Sequence, residues 1–126
     1  MSTKWRDDAP IYRQLRDRAV AMILDQALKE GDALPSARTV AANDRVNPIT
    51  VLKAYQQLTD EGLVENRPGL GLFVTPEARE RLLQSERRRF VEEEWPRIRA
   101  TIQRLDLDPD ELFRLSTATR AKARSR

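Results

Sequence analysis

Arg38, Asn47, Thr50 and Lys53 lie close together in the stretch "LPSARTVAANDRVNPITVLKAYQQL". Their types suit the holding of a charged or base-bearing partner. Bond-making chemistry is much harder to find. The chain has no His and no Cys. It therefore offers no imidazole base, no thiolate nucleophile and no Cys/His zinc site. Its Asp and Glu residues mostly alternate with Lys and Arg, the pattern of a solvated helix face. The expectation is a binding protein with no enzyme activity, no catalytic residues, no metal and no cofactor.

The contact chemistry starts from a helix opening. Asn47 suits the N-cap and Pro48 the first helical position, where a missing N–H costs nothing. Val51, Ala54, Tyr55 and Leu58 then form an i, i+3, i+4, i+7 apolar stripe. If that stripe faces a core, Asn47, Ile49, Thr50, Leu52, Lys53 and Gln56 face outward. A helix fits the major groove of DNA, and its first residues reach base edges. Lys53 suits a phosphate or a guanine, and Thr50 a phosphate or a base. Ile49 and Leu52 suit thymine methyls. An ordinary surface helix with two stray apolar residues would show the same pattern, so the neighbouring elements must decide.

Those elements come in a definite order. "APIYRQLRDRAVAMILDQALKEG" reads as a first helix, with Pro10 at its first position and Gly31 as its stop. Ser36 caps a short second helix that carries Arg38. In a helix-turn-helix this helix crosses the backbone, so Arg38 would meet phosphate or the groove edge. The turn "NDRV" is short enough to set the next helix at a steep angle. After Gly62, "LVENRPGLGLFVTP" reads as two strands joined at Pro68 and Gly69. Arg67 and Gly69 at that tip suit a narrow minor groove. The fold expected is mainly α with a small β-hairpin: a winged helix-turn-helix over 1–76, followed by C-terminal dimerisation helices over 77–116. A basic, disordered tail is expected over 117–126.

Charge qualifies this picture. The net charge is +3 over 126 residues. Residues 9–75 hold eight Lys/Arg and eight Asp/Glu, so the basic excess lies in the tail. DNA binding by the middle of the chain must rest on a few placed cations. That neutrality also keeps an alternative open, a winged helix used as a protein-interaction module. No apolar run is long enough to cross a bilayer, and "MSTKWRDDAPIYRQ" lacks the apolar stretch expected of a signal peptide. A cytoplasmic location without membrane contact is expected.

The ordered set of motifs resembles a known family. "EGDALPSARTVAANDRVNPITVLKAYQQLTDEGLVENRPGLGLFV" is similar to the DNA-binding domain of GntR-type bacterial transcription regulators. Leu-Pro-Ser-x-Arg, Val-Asn-Pro-x-Thr-Val, Ala-Tyr-x-x-Leu, Glu-Gly-Leu-Val and Gly-x-Gly-x-Phe-Val occur in order over residues 30–74. The short remainder resembles the YtrA-type branch. The resemblance implies a winged-helix dimer, usually a repressor, often of genes for ABC-type transporters. It also implies DNA contacts at Arg38, Asn47, Thr50 and Gly69. The chain departs from the pattern at three places. Asp44 and Arg45 replace a common Leu-Gly pair, which predicts a turn closed without a left-handed glycine, a changed helix angle, or an added phosphate contact from Arg45. Thr39 stands where an acid usually completes a capping box. Leu70 stands where many members carry a base at the wing.

The C-terminal part holds the expected dimer surface. Val91, Trp95, Ile98, Ile102 and Leu105 are spaced 4, 3, 4 and 3, a short heptad seam. Pro96 lies inside it and predicts a kink or restart near Trp95. Asp108 and Pro109 open another helix bearing Leu112, Phe113 and Leu115. Two related half-sites multiply specificity, so the partners expected are a double-stranded, roughly palindromic DNA operator and a second copy of the chain. No large-metabolite site is expected within one subunit; a cleft at the dimer interface is left open as a place for a small-molecule effector.

Overall fold

The computed structural model describes residues 5–115. The element order is α1 (Ile11–Leu24), α2 (Ala37–Asp44), α3 (Pro48–Asp60), β1 (Val64–Arg67), β2 (Gly71–Val74), α4 (Ala78–Arg89), a π-helical turn (Phe90–Glu94) and α5 (Trp95–Arg104). A further helix, α6, is described over 109–115. The chain divides into two compact units after Gln84. The basic tail expected over 117–126 lies outside the described residues.

In the first unit, three helices and a hairpin form a winged helix-turn-helix. Two apolar clusters hold it together. One packs Val20 and Ile23 of α1 with Leu58, Leu63, Val64 and Val74. The other packs Leu15 with Ala41, Val51 and Ala54, and Trp5, Tyr12 and Val46 lie against it. Tyr55 touches both clusters. The expected stripe of α3 is thus the inner face, with Val51, Ala54 and Leu58 at 0% exposure. Ala78 and Leu82 of α4 belong to the first cluster as well. Their burial carries the compact unit past residue 76, where the sequence pattern alone places the boundary.

One buried charge ties α1 to the end of α3. Arg16 is only 9% exposed. Its guanidinium donates to both Glu61 carboxylate oxygens and to Asp17 Oδ1 at 2.8 Å. The Glu61 hydrogen bonds hold its pKa above the ordinary arginine value, against the opposing effect of burial. Arg16 therefore stays charged, and the bidentate geometry offsets its desolvation.

The first helix differs from the sequence pattern at both ends. Pro10 is the N-cap, not the first helical residue; Arg13 and Gln14 N–H groups donate to its carbonyl. The helix ends at Leu24, well short of Gly31. Gln26 takes a left-handed φ of 64°. Its N–H donates to Ile23 O and the Ala27 N–H to Met22 O, which is a Schellman stop built without glycine. Ala27 is consequently exposed. Gly31 serves a different purpose. Its N–H donates to Val74 O at 2.9 Å and the Leu34 N–H donates to Leu72 O at 2.8 Å. Residues 31–34 thus line the free edge of β2, bridging at Ala33 and Phe73.

The hairpin is antiparallel with Val64 opposite Val74 and Arg67 opposite Gly71. Its tip is a tight turn in which Leu70 N–H donates to Arg67 O at 2.8 Å. Pro68 and Gly69 are the central residues, and Gly69 has φ +76°. A left-handed third position is what a type II turn requires, and glycine supplies it without strain.

In the second unit the helix does not stop at Pro96. It widens into the π-turn, where the Trp95 N–H reaches back five residues to Phe90 O. A proline ring clashes with the carbonyl four residues before it and donates no bond. The wider turn accommodates both defects, and α5 continues from it. Val91 lies on the π-turn, while Trp95, Ile98 and Ile102 lie on α5. Val91, Trp95, Ile98 and Leu105 are exposed, as are Phe90 and Leu107. Asp108 caps α6 through its Oδ1, which accepts from Asp110 N–H at 3.0 Å. On α6, Leu112 is half-buried and Phe113 is 84% exposed.

Candidate nucleic-acid interface

The start of α3 is fixed by its cap. Asn47 Oδ1 accepts the Ile49 N–H at 2.9 Å. Its amide NH2 has no partner among the described residues. With Val51 and Ala54 sealed inward, the outer side of the first turns is left to Asn47, Ile49, Leu52 and Lys53, all exposed, and to the half-buried Thr50. Ile49 is 71% exposed and Leu52 55%. The geometry therefore brings a small polar and methyl-bearing tip to the open end of α3.

Helix α2 is held by its own cap, by one bond from α3 and by one ion pair to α1. Ser36 Oγ accepts from Thr39 N–H at 3.1 Å, so the cap stands without the acidic partner of a capping box. Tyr55 Oη donates to Pro35 O at 2.7 Å. Burial, with the Asp44 charge adding to it, pushes the Tyr55 phenol up to about 12. Asp44 accepts from Arg18 at 2.9 Å, holding the end of α2 to α1. The turn then closes on Arg45, which adopts φ 54° where the family pattern has a glycine. The left-handed geometry is kept, and a side chain is carried in it.

Charge is distributed unevenly over this surface. Of the eight Lys/Arg in 9–75, four are engaged within the fold. Arg16 and Arg18 are in ion pairs. Lys53 Nζ lies 4.1 Å from the centre of the Tyr12 ring. Arg67 lies 4.3 Å from the Phe73 ring centre and 3.2 Å from Glu65 Oε1. Lys53 and Arg67 are both exposed, and each also makes a cation–π contact within its own unit. Among the described residues, Arg38 and Arg45 make no ion pair and stand exposed at either end of α2. The Tyr12 contact was invisible in the sequence, because it joins two helices far apart in the chain.

Gly69 sits at the exposed wing tip beside Leu70. Apart from this surface, an open cleft of about 630 Å³ lies between the end of α1 and the start of α4, floored by Ile23, Leu28, Val74 and Ala78. It belongs to the first unit. Among the described residues no cluster of Asp or Glu could hold a metal ion, and no helix is long and apolar enough to cross a membrane.

A family model described as "Bacterial regulatory proteins, gntR family" matches residues 11–74, just over half of the chain. The chain belongs to the GntR family. It is 36% identical to the HTH-type transcriptional repressor YtrA of Bacillus subtilis over 81 residues, which is 64% of this chain and 62% of that protein. This GntR chain spans less than two thirds of the length of the Bacillus subtilis relatives it matches. The crystal structure of a transcriptional regulator from Oenococcus oeni is 25% identical, with a TM-score of 0.69 over 93% of this chain and 96% of that one. YtrA from Sulfolobus acidocaldarius, a GntR-family transcription factor, is 25% identical with a TM-score of 0.54 over 97% of each chain. These likenesses support the YtrA-type branch within the GntR family.

Proposed function

We propose that the chain is a homodimeric, sequence-specific DNA-binding repressor of transcription, acting in the cytoplasm without enzymatic activity. The observation that carries this is the open end of α3: a capped helix start with exposed Asn47, Ile49, Leu52 and half-buried Thr50, flanked by Arg38, which makes no ion pair among the described residues. Such a tip fits a major groove, with Arg38 on phosphate or the groove edge and the two aliphatic side chains on thymine methyls. Gly69 lets the wing main chain approach the neighbouring minor groove. The likeness to the YtrA repressor supports the direction of control. YtrA-type resemblance also favours genes for ABC-type transporters as targets.

The exposed apolar residues of α5 and α6 support a dimer built through Val91, Trp95, Ile98, Ile102, Leu105, Leu112 and Phe113. An isolated seam of this length is too short to be stable, so the two copies would pack as a bundle. The charge balance of residues 9–75 favours one rival, a winged helix that docks on protein.

Selection of bound duplexes from a random DNA pool tests the proposal. A palindromic site is expected, with half-site centres about 10 bp apart or a multiple of that. Affinity should fall steeply between 50 and 200 mM salt, as counterion release requires. Arg38→Ala should weaken binding by about 1–3 kcal/mol if it reads a base, or make the salt slope shallower if it meets phosphate. An unenriched pool would sink the DNA function and leave the protein-docking rival.

A further inference from the structure

The turn between α2 and α3 holds a residue under strain. Arg45 sits at φ 54°, ψ 50°, in the left-handed region. Glycine adopts that conformation freely, whereas a residue with a Cβ does not. The fold itself makes no use of an arginine there. The turn is closed by main-chain bonds, from the Arg45 N–H to Ala41 O and from the Val46 N–H to the same carbonyl at 3.1 Å. The Arg45 side chain is exposed and has no partner among the described residues. Its neighbour Asp44 is held by Arg18. A strained residue with no internal partner is a pointer to an external one.

The start of α3 has a need that Arg45 meets. Helix openings commonly hold phosphate on free backbone N–H groups. Here the first turn has none to offer. Pro48 lacks an N–H, the Ile49 N–H goes to Asn47 Oδ1, and the Thr50 and Val51 N–H groups go to Asn47 O at 2.9 and 3.3 Å. A phosphate at this end must be met by side chains. Lys53 is already engaged with Tyr12. Arg45 lies two residues before the cap and is uncommitted.

We propose that Arg45 is a DNA-phosphate contact at the entrance of the recognition helix α3, and that the chain keeps a strained turn in order to present it. The inference rests on the DNA-binding function proposed above. It assigns the contact to sequence-independent anchoring rather than to base reading.

The test uses the full chain and a duplex recovered by the selection. Arg45→Gly removes the cation and relieves the turn, Arg45→Asn removes the cation but tolerates the left-handed region, and Arg45→Lys keeps the charge. The two neutral variants should melt at or above the temperature of the parent protein. They should bind at least about tenfold more weakly near 0.15 M salt, with a log–log salt slope shallower by about 1.8 because the dimer loses one phosphate contact in each half-site, and should select the same sequence. Arg45→Lys should restore most of the slope. Unchanged affinity and slope in Arg45→Gly would overturn the proposal, as would a lower melting temperature or a changed base preference. In those cases continued loss of binding by Arg38→Ala keeps the DNA function standing. A parent protein that enriches no sequence takes down both.

Discussion

Leu58 on α3 and Trp95 on α5 are both large apolar side chains on helices with charged neighbours. Leu58 is fully covered, whereas Trp95 keeps 38% of its surface. The same contrast runs through the two units. In the first, Val51, Ala54 and Leu58 close against α1 and the hairpin, and the aliphatic residues left outside on α3 are Ile49 and Leu52. In the second, Phe90, Val91, Trp95, Ile98, Leu105 and Leu107 remain exposed. Burial of apolar surface is what makes a fold stable on its own. The first unit has completed that burial internally. Exposed apolar surface of this extent in the second marks a face awaiting a partner, and we propose that the partner is a second copy of the chain.

Breaking the sealed side should have the largest effect. Leu58→Ala removes a side chain at 0% exposure and should lower the unfolding free energy by about 2–5 kcal/mol, measured by urea denaturation. Trp95→Ala probes the open side. It should weaken the proposed dimer by about 2–4 kcal/mol, read as a rise in the dissociation constant by sedimentation velocity. A parent protein that stays monomeric at tens of micromolar would remove the dimer from the proposed function. The smallest effect sharpens the comparison within the first unit. The folded state holds the Tyr55 phenol near 12, above the ordinary value of 10.0. Its neutral form is therefore favoured by folding. That contribution is complete below pH 10 and is lost as pH rises toward 12, by about 2 kcal/mol in all. Tyr55→Phe should abolish this part of the slope, seen in unfolding free energies compared at pH 9 and 11.5. The chain has only two tyrosines, so the tyrosinate absorbance lost in the variant isolates Tyr55.

The helix ends show what local pattern can and cannot reveal. Four helices stop with the same geometry, a left-handed residue followed by a bond back to the last full turn. The residues are Gln26, Arg45, Gly62 and Asp106, with Ala27, Val46, Leu63 and Leu107 donating back to Met22, Ala41, Leu58 and Ile102. Gly62 was readable because glycine is the unstrained choice. The other three are residues whose type does not signal the left-handed position they take, which only the folded chain reveals. Gly31 misled for the same reason: its left-handed φ of 84° serves pairing with β2, not a helix stop. The helix through Pro96 was expected to kink or restart near Trp95, and it does restart there, through a π-turn whose presence the pattern did not reveal.

By itself the sequence determined the order of elements, the N-caps at Ser36, Asn47 and Asp108, the inner stripe of α3 and the tight turn at Pro68–Gly69. These depend on neighbours a few residues apart, where side-chain type and spacing dictate the local hydrogen bonds. The tertiary structure alone decided which cations are committed. Lys53 reaches Tyr12, Arg67 lies on Phe73 and Arg16 grips Glu61, while Arg38 and Arg45 are left without partners among the described residues. Except for Arg67, whose partner lies on the adjacent strand, those pairings join segments distant in the chain, and a contact of that kind exists only once the helices have packed.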